Sequence, residues 1–268
     1  MITHQVTIGT SLLEYWVNAV VAGGGTVSAN RKGLLYPLVN GLIADGIWNI
    51  FDGFWLYAAE NETAALLDLV NLKTAIKNGT PSFTVDRGYT GVDSSSTVYI
   101  DSGFNPTTAI NPKFLQNSAH LSIWSNTDVQ SSVNGGDTIG SFDTGFTQDN
   151  QISPRFSDGN AYFRINDGAT ASGGITTATA KGHYLANRSG ASAQQGYKNA
   201  VDQGVVAVAS GGPFNGNIFT LASNRNGTAG FGSPVQLTMA SIGGSMTSAQ
   251  VTKFYNRLQT YMSAVGVS

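Results

Sequence analysis

The spacing of apolar residues changes near Gly79, and this change restricts the folds that the chain can adopt. Before Gly79, apolar residues recur at the spacing of one α-helix face. After it, short apolar runs alternate with polar residues and are separated by Gly, Asn, Asp and Ser, as in half-buried strands joined by turns. The sequence therefore predicts a helical segment over residues 1–78 and a mainly β domain over residues 79–268.

The first segment contains signals for several short helices. Ser11, Ser28 and Asn61 each precede an apolar-periodic run and are suitable N-caps. Gly23 should end the first helix, and Pro37 should kink or break the second. The predicted helices cover about residues 12–21, 28–44, 47–51 and 62–72.

The second segment contains alternating runs that predict strands. These runs are residues 81–85, 97–101, 120–124, 137–140, 161–165, 183–188, 195–198, 205–208, 218–222 and 235–240. Turn pairs such as Asp158–Gly159 and Asn226–Gly227 separate them, which favours an antiparallel sandwich or barrel. Thr247 and Gln250 form a capping box for a C-terminal helix.

Composition excludes several classes of function. The net charge is −2 with no basic run, so the sequence does not indicate nucleic-acid binding. We see neither a secretory signal at Met1–Val6 nor an apolar stretch of the ~18 residues that span a membrane. Because the chain also lacks cysteine, synthesis in a reducing cytoplasm is expected.

The acidic residues do not form a recognisable catalytic pair. Glycosidases usually use two carboxylates, and no glutamate follows Glu62. The aspartate pairs Asp143 with Asp149, and Asp158 with Asp167, are spaced like loop residues. The sequence therefore predicts no catalytic residue.

The three histidines give no indication of a nucleophilic or zinc site. His4 is terminal, whereas His120 and His183 lie in predicted strands without a Gly-x-Ser-x-Gly turn. With no cysteine and no histidine pair, zinc is not expected. We predict structural histidines, no cofactor and no enzymatic activity.

Calcium is a separate possibility for one loop-rich stretch. Its oxygen-bearing side chains suit Ca²⁺, but the same residue types also serve turns, which is the reading we prefer. No metal site is predicted, and calcium binding is left open. The residues are Asp143, Asp149, Asn150, Asp158 and Asn160.

Several stretches of the chain resemble one family. They are residues 83–91, 99–106, 196–199, 218–222 and 240–250, together with 24–29 and 55–61 in the helical segment. Together they resemble phage-encoded concanavalin A-like (laminin G-type) jelly-roll domain proteins. The resemblance implies an antiparallel jelly-roll β-sandwich with an N-terminal helical segment and a C-terminal helix, and a phage origin.

The resemblance leaves function open, because this sandwich occurs in lectins, glycan hydrolases and structural modules. Our leading hypothesis is a structural virion component (a head decoration, tail or fibre protein), made in the host cytoplasm. Its partners would be other virion proteins, as a homo-oligomer or on an oligomeric shell. The alternative is a lectin-like module that binds a cell-surface glycan, and the third hypothesis is a glycan hydrolase.

Tryptophan is concentrated in the helical segment, which holds three of the four tryptophans. Trp48 and Phe51 are three apart, and Trp55 follows within one more turn if the helix continues. Large aromatics dominate interface energetics. We predict that Trp48, Phe51 and Trp55 make contacts beyond their own helix, with the sandwich or with a partner subunit.

Overall fold

A computed structural model of the chain describes residues 2–169, 174–204 and 208–267, with side chains from Ser11 onward. Two antiparallel sheets pack face to face, and helices lie at both ends of the sequence. The predicted fold class, an antiparallel β-sandwich with N-terminal and C-terminal helices, is confirmed. No helix in the described ranges is long and apolar enough to cross a bilayer.

Four helices frame the sandwich. They are α1 (Ile2–Ala22), α2 (Ala29–Ala44), α3 (Glu62–Leu66) and α4 (Ser248–Ala264). A single 3₁₀ turn covers Trp48–Ile50.

The strands form two sheets. They are β1 (Phe51–Trp55), β2 (Ile76–Asn78), β3 (Ser82–Thr84), β4 (Gly88–Thr90), β5 (Tyr99–Asp101), β6 (Ala119–Ser125), β7 (Ile139–Phe142), β8 (Asp149–Ser153), β9 (Asn160–Asp167), β10 (Ile175–Thr176), β11 (Gly182–Gly190), β12 (Ala193–Lys198), β13 (Val201–Asp202), β14 (Phe219–Thr220), β15 (Ser223–Arg225), β16 (Thr228–Gly230) and β17 (Gln236–Gly243). Sheet A has the order β13-β12-β11-β6-β17-β4-β3, with β1 also paired to β17. Sheet B has the order β10-β9-β8-β7-β14-β5-β2, with β15 parallel to β7 and paired to β16.

Most of the predicted strands are present, with ends shifted by a few residues. The exception is the run 205–208, because residues 205–207 lie outside the described part of the chain. The structure also contains strands that the sequence analysis did not predict. These are β1, β2, β4, β8, β10, β13, β15 and β16.

Local capping signals predicted two helix starts correctly. Ser28 accepts a hydrogen bond from Arg31 N at 3.0 Å, and Asn61 accepts one from Ala64 N at 3.0 Å. The predicted cap at Ser11 is wrong, because α1 already begins at Ile2. Pro37 does not break α2, whose buried leucines supply packing that offsets the missing backbone hydrogen bond.

The C-terminal helix begins at the predicted capping box. Thr247 accepts from Gln250 N at 3.2 Å, and the Gln250 side chain accepts from Thr247 N at 3.0 Å. Two otherwise unpaired backbone donors are thereby satisfied at the start of α4.

The helical turn predicted over about residues 47–51 is present but does not continue to Trp55. The 3₁₀ turn ends at Ile50, and the chain then enters β1, which pairs with the Ala240–Gly243 end of β17. Phe and Trp suit a strand, and Gly53 disfavours a helix. Pairing with a strand distant in sequence therefore decides the conformation here.

The last predicted helix of the first segment is also shorter than expected. It ends at Leu66 rather than Leu72, because the Asp68 carboxylate accepts backbone N–H groups from Phe54, Val70 and Asn71 at 2.8–3.0 Å. These bonds turn the chain away from a helical path.

The division into domains at residue 78 stays a prediction. Strands β1 and β2 lie before that boundary, yet they belong to sheets A and B respectively. One continuous apolar core runs from Leu13 in α1 to Val267 after α4.

Helix α4 lies on the outer face of sheet A. Tyr255 stacks on Trp124 of β6 at 5.8 Å, and Phe254 contacts Phe51 of β1 at 5.3 Å. Helix α2 is joined to α4 by the hydrogen bond from Arg31 to Tyr261 Oη at 2.6 Å. The outer face of sheet B therefore points away from these helices.

Candidate functional site

The three aromatics of the predicted contact surface are buried within the chain. Trp48 is 8% exposed, Phe51 0% and Trp55 1%. The Phe51 ring stacks on Phe54 at 5.0 Å and lies against Phe254 of α4. The structure thus places Phe51 against α4, Phe51 and Trp55 in a strand of the sandwich, and Trp48 against Phe51, and it leaves little of their surface for a partner.

The two histidines whose side chains are described are also buried. Ser122 Oγ lies 2.7 Å from His183 Nε2, and Ser241 Oγ lies 3.0 Å from His120 Nε2. Burial lowers the pKa of His120 to about 4 and that of His183 to about 3, so both are neutral at pH 7. All four side chains are 0% exposed, so a substrate could not reach these serine–histidine pairs. His4 lies in the part of α1 whose side chains are not described.

The Asp and Asn residues considered for calcium lie in different environments. Asp143 accepts from Thr147 N at 2.6 Å, Asp158 accepts from Tyr162 Oη at 2.6 Å, and Asp149 is fully buried. No group of three or more His, Cys, Asp or Glu side chains that could hold a metal occurs among the described residues.

The carboxylate pairs considered for catalysis are likewise divided between surface and interior. Asp143 and Asp158 fix exposed turns, whereas Asp149 and Asp167 are 0% exposed and form ion pairs with Arg164 and Arg188.

One cavity of about 360 Å³ lies beside β1, where Trp55, Asp52 and Asp68 line it. Both carboxylates accept hydrogen bonds from backbone N–H groups there. Asp52 accepts from Lys113 N and Phe114 N at 2.7–2.9 Å, and Asp68 closes the turn after α3. Burial raises the pKa of Asp68 to about 6. These bonds indicate that the two carboxylates hold loops together.

The outer face of sheet B carries a different kind of cavity, which we call the aromatic cleft. It measures about 250 Å³, below the range of about 300–1,000 Å³ that drug-sized ligands occupy, and so suits a small ligand. Its lining consists of Phe142, Phe146, Phe156, Tyr162 and Phe231 as walls, and Asp137, Gln151 and Arg164 as polar groups.

Ring contacts hold the walls of the aromatic cleft. Phe146 stacks on Phe142 at 5.0 Å, and Phe231 lies 5.8 Å from Phe142. On the other side, Phe156 meets Tyr162 edge-on at 5.8 Å. Four of these rings are only partly buried, so aromatic faces remain available to a ligand.

Two walls of the cleft have an unusual backbone. Phe146 and Phe231 have φ of +52° and +54°, a left-handed conformation that is uncommon for residues other than glycine. Residues held in this way concentrate at ligand-binding sites. At Phe146, the Asp143 carboxylate accepts from Thr147 N and Gln148 N and so fixes the loop.

The polar floor of the cleft centres on Asp137. Its Oδ1 accepts from Ser153 Oγ at 2.7 Å and from the Gln151 side chain, and its Oδ2 accepts from Ser223 Oγ at 2.7 Å. Burial raises the pKa of Asp137 to about 6, although the serine hydroxyls act in the opposite direction.

Arg164 lies beside this floor and is held on several sides. Its Nη1 donates to Asp149 Oδ2 and to Gln151 Oε1, each at 2.9 Å, and its guanidinium lies 5.2 Å from the Tyr162 ring centre. Burial raises the pKa of Asp149 to about 7, while Arg164 acts to lower it. The positive charge of Arg164 is therefore paired with the buried carboxylate of Asp149.

Strand alternation explains why these side chains share one face. In β9, Ala161, Phe163 and Ile165 enter the core, so Tyr162 and Arg164 face outward. In β8, Gln151 pairs with Arg164, and Ser153 pairs with Tyr162.

The sequence pattern predicts β9, but Tyr162 and Arg164 were not among the predicted site residues. The available signal was the alternation of Tyr162 and Arg164 with apolar neighbours. Phe146 and Phe231 had no such signal, because each lies in a loop that only the folded chain brings to the cleft.

Solved structures resemble the fold at low sequence identity. The binding domain of Paraclostridial mosquitocidal protein 1 matches with a TM-score of 0.51 and 12% identity, over 79% of this chain and 53% of that one. Trypanosoma rangeli sialidase, solved with sialic acid, matches with a TM-score of 0.52 and 8% identity, over 87% of this chain and 40% of that one. Domain 4 of a Geobacillus stearothermophilus arabinanase, solved with arabinotriose, matches with a TM-score of 0.47 and 14% identity, over 77% of this chain and 98% of that domain.

The likenesses to the mosquitocidal protein and to the sialidase show a β-sandwich fold. This chain spans only about half of the mosquitocidal protein structure and less of the sialidase. No protein-family model and no curated protein matches the sequence.

Proposed function

We propose that this chain is a glycan-binding module and that the sugar lies in the aromatic cleft. The observation that carries the proposal is the combination of partly exposed aromatic rings with a fixed polar floor. Aromatic faces pack against the apolar C–H faces of sugar rings, and a few placed polar groups bond to their hydroxyls. The solved structures with the same fold include one that holds a sugar.

This proposal takes up the alternative hypothesis of the sequence analysis, a glycan-binding module, and not the glycan hydrolase. In the described part of the cleft, Asp137 is held by three side-chain hydrogen bonds and Asp149 is fully buried. Neither is arranged as a mobile acid or base beside an open face. We therefore propose binding without hydrolysis, and release of reducing sugar from a bound glycan would contradict it.

Truncating the walls of the cleft should abolish most of the binding. We expect Phe146→Ala and Tyr162→Ala each to weaken glycan affinity by about tenfold or more, as central aromatic contacts do in other interfaces. The measurement is titration calorimetry after a panel of gluco-, galacto- and manno-oligosaccharides has been used to find a ligand. Each neutral sugar is accompanied by its uronic-acid counterpart.

The matched control is Tyr15→Ala, which removes an aromatic ring that is 65% exposed on α1 and does not line the cleft. Its affinity should equal that of the unmodified chain. Equal loss in all three variants, or no binding of the unmodified chain to any sugar of the panel, would contradict the proposed function.

We further propose that the module belongs to a bacteriophage virion, as a head decoration, tail or fibre protein that contacts other virion proteins. The support is the sequence resemblance carried by stretches such as residues 83–91 and 240–250. In that setting the cleft would hold the particle to a host-surface glycan. Mass spectrometry of purified virions should detect the chain, and its absence from particles of a phage that encodes it would overturn this placement.

A further inference from the structure

Charged groups at the floor of the aromatic cleft are unequal in sign. Asp137 lines the cleft and the buried Asp149 forms an ion pair with Arg164 at 2.9 Å, so two carboxylates accompany one guanidinium. At the rim, a third carboxylate, Asp158, accepts from Tyr162 Oη. A ligand at the floor therefore meets more negative than positive charge once the carboxylates are ionised.

Arg164 is already engaged by protein groups. Asp149 and Gln151 both accept from its Nη1, and the Tyr162 ring covers one side of its guanidinium. To capture a sugar carboxylate, the cleft would have to compete with the buried Asp149 for the same charge.

Asp137 offers acceptor capacity to a ligand. Its Oδ1 accepts two hydrogen bonds from described residues, whereas Oδ2 accepts one, from Ser223. Asp137 is 2% exposed where it lines the cleft, and a carboxylate oxygen has room for about two hydrogen bonds, so Oδ2 retains capacity for one more.

We propose that the aromatic cleft selects uncharged glycans over sugar acids, and that Asp137 is the specificity-determining residue that accepts a sugar hydroxyl. This inference rests on the proposed glycan-binding function. A sugar hydroxyl can donate a hydrogen bond to the Asp137 carboxylate. A sugar carboxylate can only accept hydrogen bonds at neutral pH, and it would bring a second negative charge into a partly desolvated site.

The test compares each neutral oligosaccharide of the panel with its uronic-acid counterpart, which differs only in a carboxylate in place of a hydroxymethyl group. At pH 8, above the pKa of about 6 for Asp137, the neutral sugar should bind at least about tenfold more tightly, because like charges at an interface are repulsive. Equal or tighter binding of the uronic acid would overturn the inference and leave the proposed function standing. Absence of binding by any sugar would instead overturn the proposed function.

The variant Asp137→Asn tests the role of Asp137 independently. We expect it to weaken the neutral sugar by about tenfold and to reduce the discrimination against the uronic acid, because the amide removes the charge and keeps the shape. Arg225→Ala, which removes an exposed cation on β15 beside β7, should leave both affinities unchanged. Undiminished discrimination in Asp137→Asn, with an unchanged melting temperature, would show that another group sets the selectivity.

Discussion

Replacement of Arg188 by methionine should destabilise the fold by about 3–5 kcal/mol, because it leaves a buried carboxylate without its cation. Arg188 is 0% exposed and forms an ion pair with Asp167 at 3.0 Å. The same guanidinium donates to Ile165 O at 2.6 Å, to Gln194 Oε1 at 2.7 Å and to Val208 O at 2.9 Å. Because β11 belongs to sheet A and β9 to sheet B, the bonds from Arg188 to Asp167 and Ile165 join the two sheets.

Urea unfolding followed by circular dichroism measures this effect directly. The matched control is Arg225→Met, an exposed arginine whose replacement should change the free energy of unfolding by no more than about 0.5 kcal/mol. The double variant Arg188→Met, Asp167→Asn should recover part of the loss, since both charges are then removed. Equal midpoints for Arg188→Met and the unmodified chain would refute the structural role of this ion pair.

The second large effect is expected at Phe51. Replacing it by alanine should cost about 3–5 kcal/mol of stability, the usual range for a buried phenylalanine. Its ring is 0% exposed and lies within 5.0–5.8 Å of the rings of Phe54, Phe254 and His120. The side chain therefore joins β1 both to α4 and to β6.

This experiment also distinguishes the two forms of the aromatic-contact prediction. If Phe51 serves a partner subunit, Phe51→Ala should melt like the unmodified chain and fail only in assembly. If it serves the intramolecular contacts of the structure, the isolated variant should melt at a lower temperature. Tyr15→Ala, at a 65% exposed position, provides the neutral reference.

Signals that act within a few residues could be predicted from the sequence. Ser28, Asn61 and Thr247 cap helices because each side chain reaches a backbone donor three residues ahead. Alternation likewise predicted β6, β9, β11 and β17, whose apolar sides enter the core.

Elements that depend on distant partners could not be predicted in this way. β1 becomes a strand by pairing with β17 near the other end of the chain. β8 has polar residues at Gln151 and Ser153 that look like loop residues, yet both lie on the outer face of sheet B and bond to Asp137.

In the candidate site too, the residue types could be predicted to form turns, but the contacts between distant residues could not be predicted. From the sequence, the Asp and Asn residues around 143–160 could be interpreted as turn formers or as calcium ligands. In the structure, Asp143 fixes the loop that carries Phe146, and Asp158 holds the hydroxyl of Tyr162. Their role concerns the position of aromatic rings, which residue types alone do not specify.

The mainly β class and the helices at both ends could be predicted from the sequence, because periodicity and capping act over a few residues. Composition adds that the chain has no cysteine and no glutamate after Glu62. The burial of Trp48, Phe51 and Trp55 and the formation of an aromatic cleft on sheet B follow from the tertiary structure. Burial and cleft shape depend on which strands pair and which loops meet. Phe142, Phe156 and Phe231, far apart along the chain, line one cavity only after β7, β8, β9 and β15 have assembled.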